Sequence, residues 1–302
     1  MTRVLLTGAA GFLGRNLHGA LQAAGHEVTA VDRLERPALP GLHSLPLSDL
    51  GGLFALLKSR RIEVVVHLAC GLLPSSGPEA FAREQQEVLA PSFALMDECA
   101  RAGIRFVLFS SGGTVYGDVG GSPVPEAHPL APKNLYGYSK LMLEEYARLR
   151  HRSDGLPYLV LRPSNPYGPH QRLQGAQGLV AVAMGRALRG EPLEIWGDGS
   201  AVRDYVDVRD LSAALVALLE AGISGRTLNV GSGVGHSILE VLELVRRVSG
   251  RELPVQFRPA RGIDVRSVVL DTAALGALVP WSPRALEAGV ADFWHWIEAH
   301  GR

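Results

Sequence analysis

Cysteine is scarce in this chain: Cys70 and Cys99 are the only two among 302 residues. With no signal-like leader ahead of them, two thiols exclude a disulfide scaffold and lead us to expect a reduced, cytoplasmic setting. Cysteine and histidine never cluster at metal-ligand spacing, so no metal is expected. An excess of one charge is missing too, since 30 Lys and Arg balance 30 Asp and Glu. That balance offers nothing to a nucleic acid or an anionic membrane surface. No apolar run approaches the ~20 residues that span a bilayer. No internal repeat or low-complexity tract is present, which excludes a solenoid. What is left is a mixed-charge chain long enough for one large or two smaller domains.

Glycine is plentiful, at 35 residues, and the first of them organise the chain. Val4, Leu5 and Leu6 form an apolar run of the kind a buried parallel strand needs. Gly8, Gly11 and Gly14 follow at three-residue intervals in TGAAGFLG, and a helical pattern over 15–24 takes over. A strand turning sharply into a helix aims free N–H groups and a positive helix end at a phosphate. The glycines provide the tight turn, the close approach of a pyrophosphate and the close helix–strand packing. A second strand over 26–31 ends in Asp32, where a carboxylate can take a ribose 2′-hydroxyl and would repel a 2′-phosphate. NAD is therefore favoured over NADP, although Arg33 next door leans the other way. The plainer alternative for Asp32 is a solvated strand end.

Apolar runs at 64–69, 106–110 and 158–162 alternate with helical patterns at 50–60 and 81–103. The second helical pattern contains Pro91 as an interruption and ends at Gly103 as a C-cap would. A short strand over 45–50 is expected to end at Asp49, near the adenine. His67 reads as a buried, hydrogen-bonded histidine. Strands separated by helices imply right-handed crossovers, and hence an α/β fold with a Rossmann-type doubly wound parallel sheet. Composition shifts to Pro, Gly, Asn and Gln over 163–178. We therefore expect residues 1–165 to form the cofactor-binding unit and 166–302 a smaller C-terminal α/β substrate-binding lobe, with 201–232 open to recruitment by the first. In the second part, helices are expected at 179–189, 210–221, 237–249 and 285–299, and short strands at 193–195 and 228–230. Ser237 and Glu240 have the spacing of a capping box.

Ligands of open α/β sheets lie beyond the carboxyl ends of the strands. Those ends carry Gly8–Gly14, Asp32, Ala69–Gly71, SSGGTVYG from Ser110, and the Pro163 region. Tyr136 and Lys140, in YGYSK, are four apart and share a helix face. A free tyrosine has a pKa of about 10, too high for a base at neutral pH, and a neighbouring ammonium group is expected to lower it. Such a phenolate can take a proton from an alcohol while a hydride leaves for nicotinamide.

The motifs TGAAGFLG, SSGGTVYGD, LYGYSK, LRPSNPYGPHQ, WGDGSAVRDYVDVRDL and LNVGSG, spread over residues 7–264, resemble the extended short-chain dehydrogenase/reductase family. In particular they resemble its NAD-dependent nucleotide-sugar epimerases and dehydratases of the UDP-glucose 4-epimerase type. The resemblance implies that Gly8, Gly11, Phe12, Leu13, Gly14, Asp32, Arg33, Asp49, Leu50, Leu68, Ala69, Ser110, Tyr136, Lys140 and Pro163 serve the dinucleotide. It implies Asn165, Arg203, Arg261 and Asp264 on the substrate, a nucleotide-diphosphate sugar with UDP foremost, the arginines clamping its phosphates. A salt bridge to Asp204 or Asp207 is the alternative for Arg203, and an exposed loop charge the alternative for Arg261. It further implies a homodimer, through a four-helix interface built from 81–102 and 136–152.

Two departures from the family pattern stand out. Gly112 occupies the place of a Ser or Thr that shares the tyrosine's proton. On an extended segment Thr114 would point to the same face, so Thr114 is expected to substitute, with Ser111 next. The familiar Asn-Val-x-Gly-Thr reads Val88-Leu-Ala-Pro-Ser92, which removes one polar contact to the cofactor. The Asp-Glu pair of the family's dehydratases is Gly113-Thr114 here, which disfavours dehydration. Three outcomes remain: a 4-epimerase that retains NAD and works through a 4-keto sugar, an NAD(P)H-dependent reductase of activated keto sugars, or a non-catalytic NAD-binding module.

Overall fold

The computed structural model describes residues 1–33, 39–119, 123–175, 177–260 and 267–300. Its elements run β1 (Arg3–Thr7), α1 (Phe12–Ala23), β2 (Glu27–Asp32), β3 (His43–Ser44), α2 (Leu50–Ser59), β4 (Val64–His67) and α3 (Pro78–Glu84). A π-helical turn (Gln85–Leu89), α4 (Ala90–Ala102), β5 (Arg105–Phe109), α5 (Leu135–Asp154), β6 (Tyr158–Pro163) and β7 (Asn165–Tyr167) follow. The rest comprises α6 (Leu179–Arg189), β8 (Leu193–Trp196), β9 (Val202–Asp207), α7 (Val208–Glu220), β10 (Arg226–Val230), β11 (Gly235–Ser237), α8 (Ile238–Ser249), β12 (Val255–Arg258), β13 (Ser267–Val268), α9 (Ala273–Gly276) and α10 (Leu286–His300).

Seven strands form one sheet in the order β10-β6-β5-β4-β1-β2-β3, and every pairing in it is parallel. Both faces are covered, which explains the near-continuous apolar runs. Alternate residues feed two separate cores, as the pleat dictates. Val4, Leu6, Val64, Val66, Val107, Phe109, Leu159 and Leu161 pack with α1 and α7. Leu5, Val65, Phe106, Leu108 and Val160 pack with α2, α4 and α5. The direction of winding reverses between β1 and β4, and in such sheets the crevice at the reversal receives the ligand. The glycine turn after β1 and the segment after β4 flank it.

A four-stranded sheet holds β11-β9-β13 with β7 on β9, and β8 pairs with β12. A third core, from α6, α8 and α10, backs them. The expected strand at 228–230 is β10, and it lies at the edge of the main sheet beside β6, while α7 packs on α1 in the first core. The strand expected over 45–50 is corrected. Only His43–Ser44 is extended, and Asp49 instead caps α2, accepting from Gly52 N–H at 2.9 Å. Pro91 is not where the long helix is interrupted. The irregular turn is the π-turn before it, and α4 carries Pro91 in its first turn, where a missing N–H goes unnoticed. Ser237 and Glu240 form the expected capping box, and Gly103 ends α4 at φ 66°.

Candidate active site

The floor of the crevice is the turn after β1. Gly8 has φ +70°, and a Cβ at Gly14 would lie 2.3 Å from the Gly8 carbonyl oxygen. Backbone and helix meet too closely there for any side chain, and that closeness makes a phosphate cradle. Phe12 and Leu13 open α1 directly after it. Asp32 at the end of β2 accepts from the Ala10 N–H at 3.0 Å, holding the glycine turn. Arg33 pairs with Glu87 at 3.2 Å. Leu50 starts α2, beyond Asp49. On the other side of β1, Leu68 N–H donates to the Thr7 carbonyl at 3.3 Å, leading into Ala69. Behind that segment His67 touches Thr7 Oγ1 through Nδ1 at 2.9 Å and Ser92 Oγ through Nε2 at 3.0 Å. Burial, with Lys140 nearby, drives its pKa down to about 3, so a neutral ring ties β1, β4 and α4 together. Gly-rich cradle, carboxylate and Tyr–Lys pair together fit NAD.

Tyr136 and Lys140 stand on the first turns of α5, which Asn134 caps by accepting from Gly137 N–H at 2.8 Å. Tyr136 is partly exposed and Lys140 buried, with the lysine ammonium 5.9 Å from the phenol ring centre. Lys140 Nζ donates to the Phe109 carbonyl at 3.0 Å. Burial pushes the Tyr136 phenol above its ordinary value, against the pull of Lys140 and a hydrogen bond from Ser111, with Cys70 and Glu84 adding to the rise. Lys140 does pull the phenol's pKa down, as expected, but desolvation outweighs the ammonium group and the net shift is upward. Burial draws the Lys140 ammonium down, but Cys70, Tyr136, Glu84 and Glu144 hold it above its ordinary range.

The hydroxyl beside the phenol is that of Ser111, not Thr114. Thr114 Oγ1 is buried without a hydrogen-bond partner. Residues 112–114 form a turn, with Thr114 and Val115 N–H groups both directed at the Ser111 carbonyl, so the alternation of an extended segment does not apply. Gly112 has no room for a hydroxyl side chain either. A Cβ there would lie 2.6 Å from Leu270 Cδ1 and 2.9 Å from the Arg162 carbonyl oxygen. Leu270, from the far end of the chain, closes that position.

Ser110 turns inward, and its hydroxyl donates to Glu144 at 2.5 Å. Glu144 also receives Arg162 Nε at 3.0 Å and Nη2 at 2.6 Å. Arg162 Nη1 reaches Tyr116 OH at 2.8 Å, and that hydroxyl donates to Asn229 Oδ1 at 2.6 Å. Burial raises the Glu144 carboxyl, yet the guanidinium of Arg162 outweighs it and holds the group below its ordinary value. This network pins α5 to β5, β6 and β10. Sequence reading missed it, although Glu144 follows Lys140 by one turn and Tyr136 by two, so helical spacing alone marks all three as one face.

Next to this wall come the end of β6 and the strands β7 and β9 of the smaller sheet. Pro163 ends β6, and its carbonyl accepts Gly112 N–H at 2.8 Å. Asn165 on β7 donates to the Asp204 carbonyl at 2.8 Å. Arg203 lies on β9, between β11 and β13. Its Nη1 donates to the Val202 carbonyl at 2.8 Å. Asp204 accepts from Ser232 N–H and hydroxyl, Gly233 N–H and Leu270 N–H at 2.7 to 3.2 Å. Asp207 pairs with Arg209 and Arg284. Arg261 and Asp264 lie outside the described residues. No helix among the described residues is long and apolar enough to cross a membrane.

Comparison with known proteins agrees with this geometry. A profile of the NAD dependent epimerase/dehydratase family matches residues 4–231. The chain belongs to that family. It is 33% identical to a UDP-glucose 4-epimerase of Mycolicibacterium smegmatis, over 96% of each protein. It is 32% identical to a dTDP-4-dehydro-6-deoxy-D-allose reductase of Streptomyces, over 99% of this chain and 97% of the other. The crystal structure of the UDP-glucose 4-epimerase of Thermus thermophilus, a complex with NAD, superposes with a TM-score of 0.92 at 32% identity, covering 99% of this chain and all of that one (100%).

Proposed function

We propose that this protein is an NAD-dependent 4-epimerase of UDP-hexoses. The observation that carries the reading is the trio Ser111, Tyr136 and Lys140 at the mouth of the β1–β4 crevice. No carboxylate stands at Gly113 or Thr114 to drive elimination of water. Gly8, Gly11, Phe12, Leu13, Gly14 and Asp32 would hold the dinucleotide from one side, and Leu68, Ala69, Tyr136, Lys140 and Pro163 from the other. NAD, when bound, supplies an acceptor for the C4 hydride and a positive charge beside the phenol.

The chain's own groups do the rest. Tyr136, as phenolate, removes the proton of the C4 hydroxyl and later returns it. Lys140 stabilises that phenolate at a fixed distance. The Ser111 hydroxyl donates to it and orients the sugar oxygen. Burial pushes the phenol's pKa up, Lys140 and Ser111 pull against it, and a cationic nicotinamide, when bound, would add to that pull. Epimerisation further needs the 4-keto sugar to present both faces. The diphosphate must then be held fast while the pyranose turns, a division of labour that suits an arginine fork at Arg203. Asn165 would meet the sugar itself.

Residues 1–165 with β10 would then act as the cofactor lobe and most of 166–302 as the substrate lobe. We also infer a homodimer through α4 and α5. Tyr138 and Leu149 on α5 are each 48% exposed and lie about three helical turns apart, on one face. Leu149→Arg is expected to yield monomers by light scattering. The free thiols of Cys70 and Cys99 suit a cytoplasmic setting.

The test is purified protein with UDP-galactose and no added reductant. Formation of UDP-glucose without net cofactor consumption supports the epimerase. Turnover only of a keto-sugar nucleotide, with stoichiometric NAD(P)H consumption, indicates instead the reductase chemistry that the Streptomyces relative is named for.

A further inference from the structure

α3 and the π-turn after it cross the mouth of the crevice. β4 and β2 flank β1 in the sheet, and this one stretch touches the ends of both. On the β4 side, buried Glu84 accepts from Gly71 N–H at 2.8 Å. A Cβ at Gly71 would lie 2.8 Å from the same carboxylate oxygen, so the glutamate would have to shift to admit a side chain there. On the β2 side, Glu87 pairs with Arg33 at 3.2 Å. In an α-helix residues three apart share a face. The wider i→i+5 turn at 85–89 splays them, so Glu84 and Glu87 reach opposite sides of the crevice.

Arg33 directly follows Asp32. A carboxylate at the end of β2 suits a bare ribose 2′-hydroxyl, while an arginine there accommodates a 2′-phosphate. The two neighbours thus ask for different cofactors, and an arginine cannot be switched off by losing its proton. Glu87 resolves the conflict. We propose that Glu87 is a cofactor-selectivity residue, which captures the Arg33 guanidinium and adds negative charge beside Asp32, so that dinucleotides phosphorylated at the 2′ position are excluded. The inference rests on the reading that the adenosine ribose lies at Asp32. Arg33 and Glu87 are 59% and 54% exposed, so their pairing adds little to folding stability, and variants at Glu87 keep the fold.

The experiment measures NADH and NADPH binding separately, by nicotinamide fluorescence, on protein freed of bound cofactor at low salt. Glu87→Gln is expected to lower the ratio of the NADPH to the NADH dissociation constant roughly three- to tenfold, with NADH affinity nearly unchanged. Adding Arg33→Ala to Glu87→Gln should abolish that gain, and raising the salt should shrink it. An unchanged ratio in Glu87→Gln, or a gain that survives the loss of Arg33, overturns the proposal. Asp32→Asn tells the two failures apart. If it shifts the ratio while Glu87→Gln does not, only the role of Glu87 fails. If it leaves both constants unmoved, the ribose is not at Asp32 and the site reading fails with it.

Discussion

Glu144 and Asp204 are both fully buried, one behind the Tyr136 wall of the cleft and the other behind Arg203, and burial has opposite outcomes for them. Glu144 is met by the guanidinium of Arg162, which outweighs the desolvation of its charge and holds it ionised. Asp204 is met by three backbone N–H groups and a serine hydroxyl, and desolvation wins, so its pKa is raised. The Tyr136 wall is therefore locked by a charge pair, and the Arg203 side by a backbone cradle. A charge pair fixes the helix that carries the base. The cradle ties the loop at 231–233 and the segment after β13 to β9, the strand that carries Arg203 between β11 and β13.

The largest test of this contrast is at the chemistry. Tyr136→Phe should lower kcat by about 10²–10⁴ while bound NAD is retained, whereas Arg203→Ala should act chiefly on KM, as loss of uniform binding does. Steady-state kinetics in both variants check the division. A kcat collapse in the arginine variant would erase it. Ser111→Ala should reduce kcat by roughly tenfold or more and Thr114→Val less, because only Ser111 reaches the phenol.

Stability should separate the two acids next. Removing one member of the buried pair leaves the other charge uncompensated, so Glu144→Gln should cost about 3–5 kcal/mol. Asp204→Asn leaves amide donors partly satisfied and should cost about 1–3 kcal/mol. Urea unfolding of both variants reads the order, and equal losses would show that the two walls are locked alike.

The smallest effect is in the pH dependence. The Glu144 pKa is depressed below the ordinary 4.5, so its contribution is present above that pH and is lost as pH falls through the lower folded value. The Asp204 pKa is raised above 3.8, so the folded state binds that proton more tightly and gains from acidification. Glu144→Gln should thus flatten the fall of stability below about pH 4.5, and Asp204→Asn should steepen it. Unfolding free energies across pH 3–6 check both signs.

What was legible in the sequence follows the same divide. The glycine turn, Asp32 and the Tyr136–Lys140 spacing are local patterns, and local geometry realised them. The hydroxyl partner was not legible, because the choice of Ser111 over Thr114 depends on a turn at 112–114 and on Leu270 filling the space at Gly112. The direction of the Tyr136 shift was hidden for a related reason, since burial is a property of distant packing. The strand at 228–230 reads as falling after the start of the second lobe, with 201–232 open to recruitment by the first, because its partner in the main sheet, β6, comes long before it in the chain. Asp49 read as a strand end, although an acid ahead of a helical stretch is equally a cap.

The central claim is that one phenol, beside Ser111 and Lys140, opens and closes a 4-keto sugar without exchange of the hydride. UDP-glucose deuterated at C4 tests this most directly. Recovered UDP-galactose should keep its deuterium at C4 with wild-type protein, and should scarcely form with Tyr136→Phe. Loss of the label to solvent or to added cofactor, or label-retaining epimerisation at the normal rate in Tyr136→Phe, would contradict it.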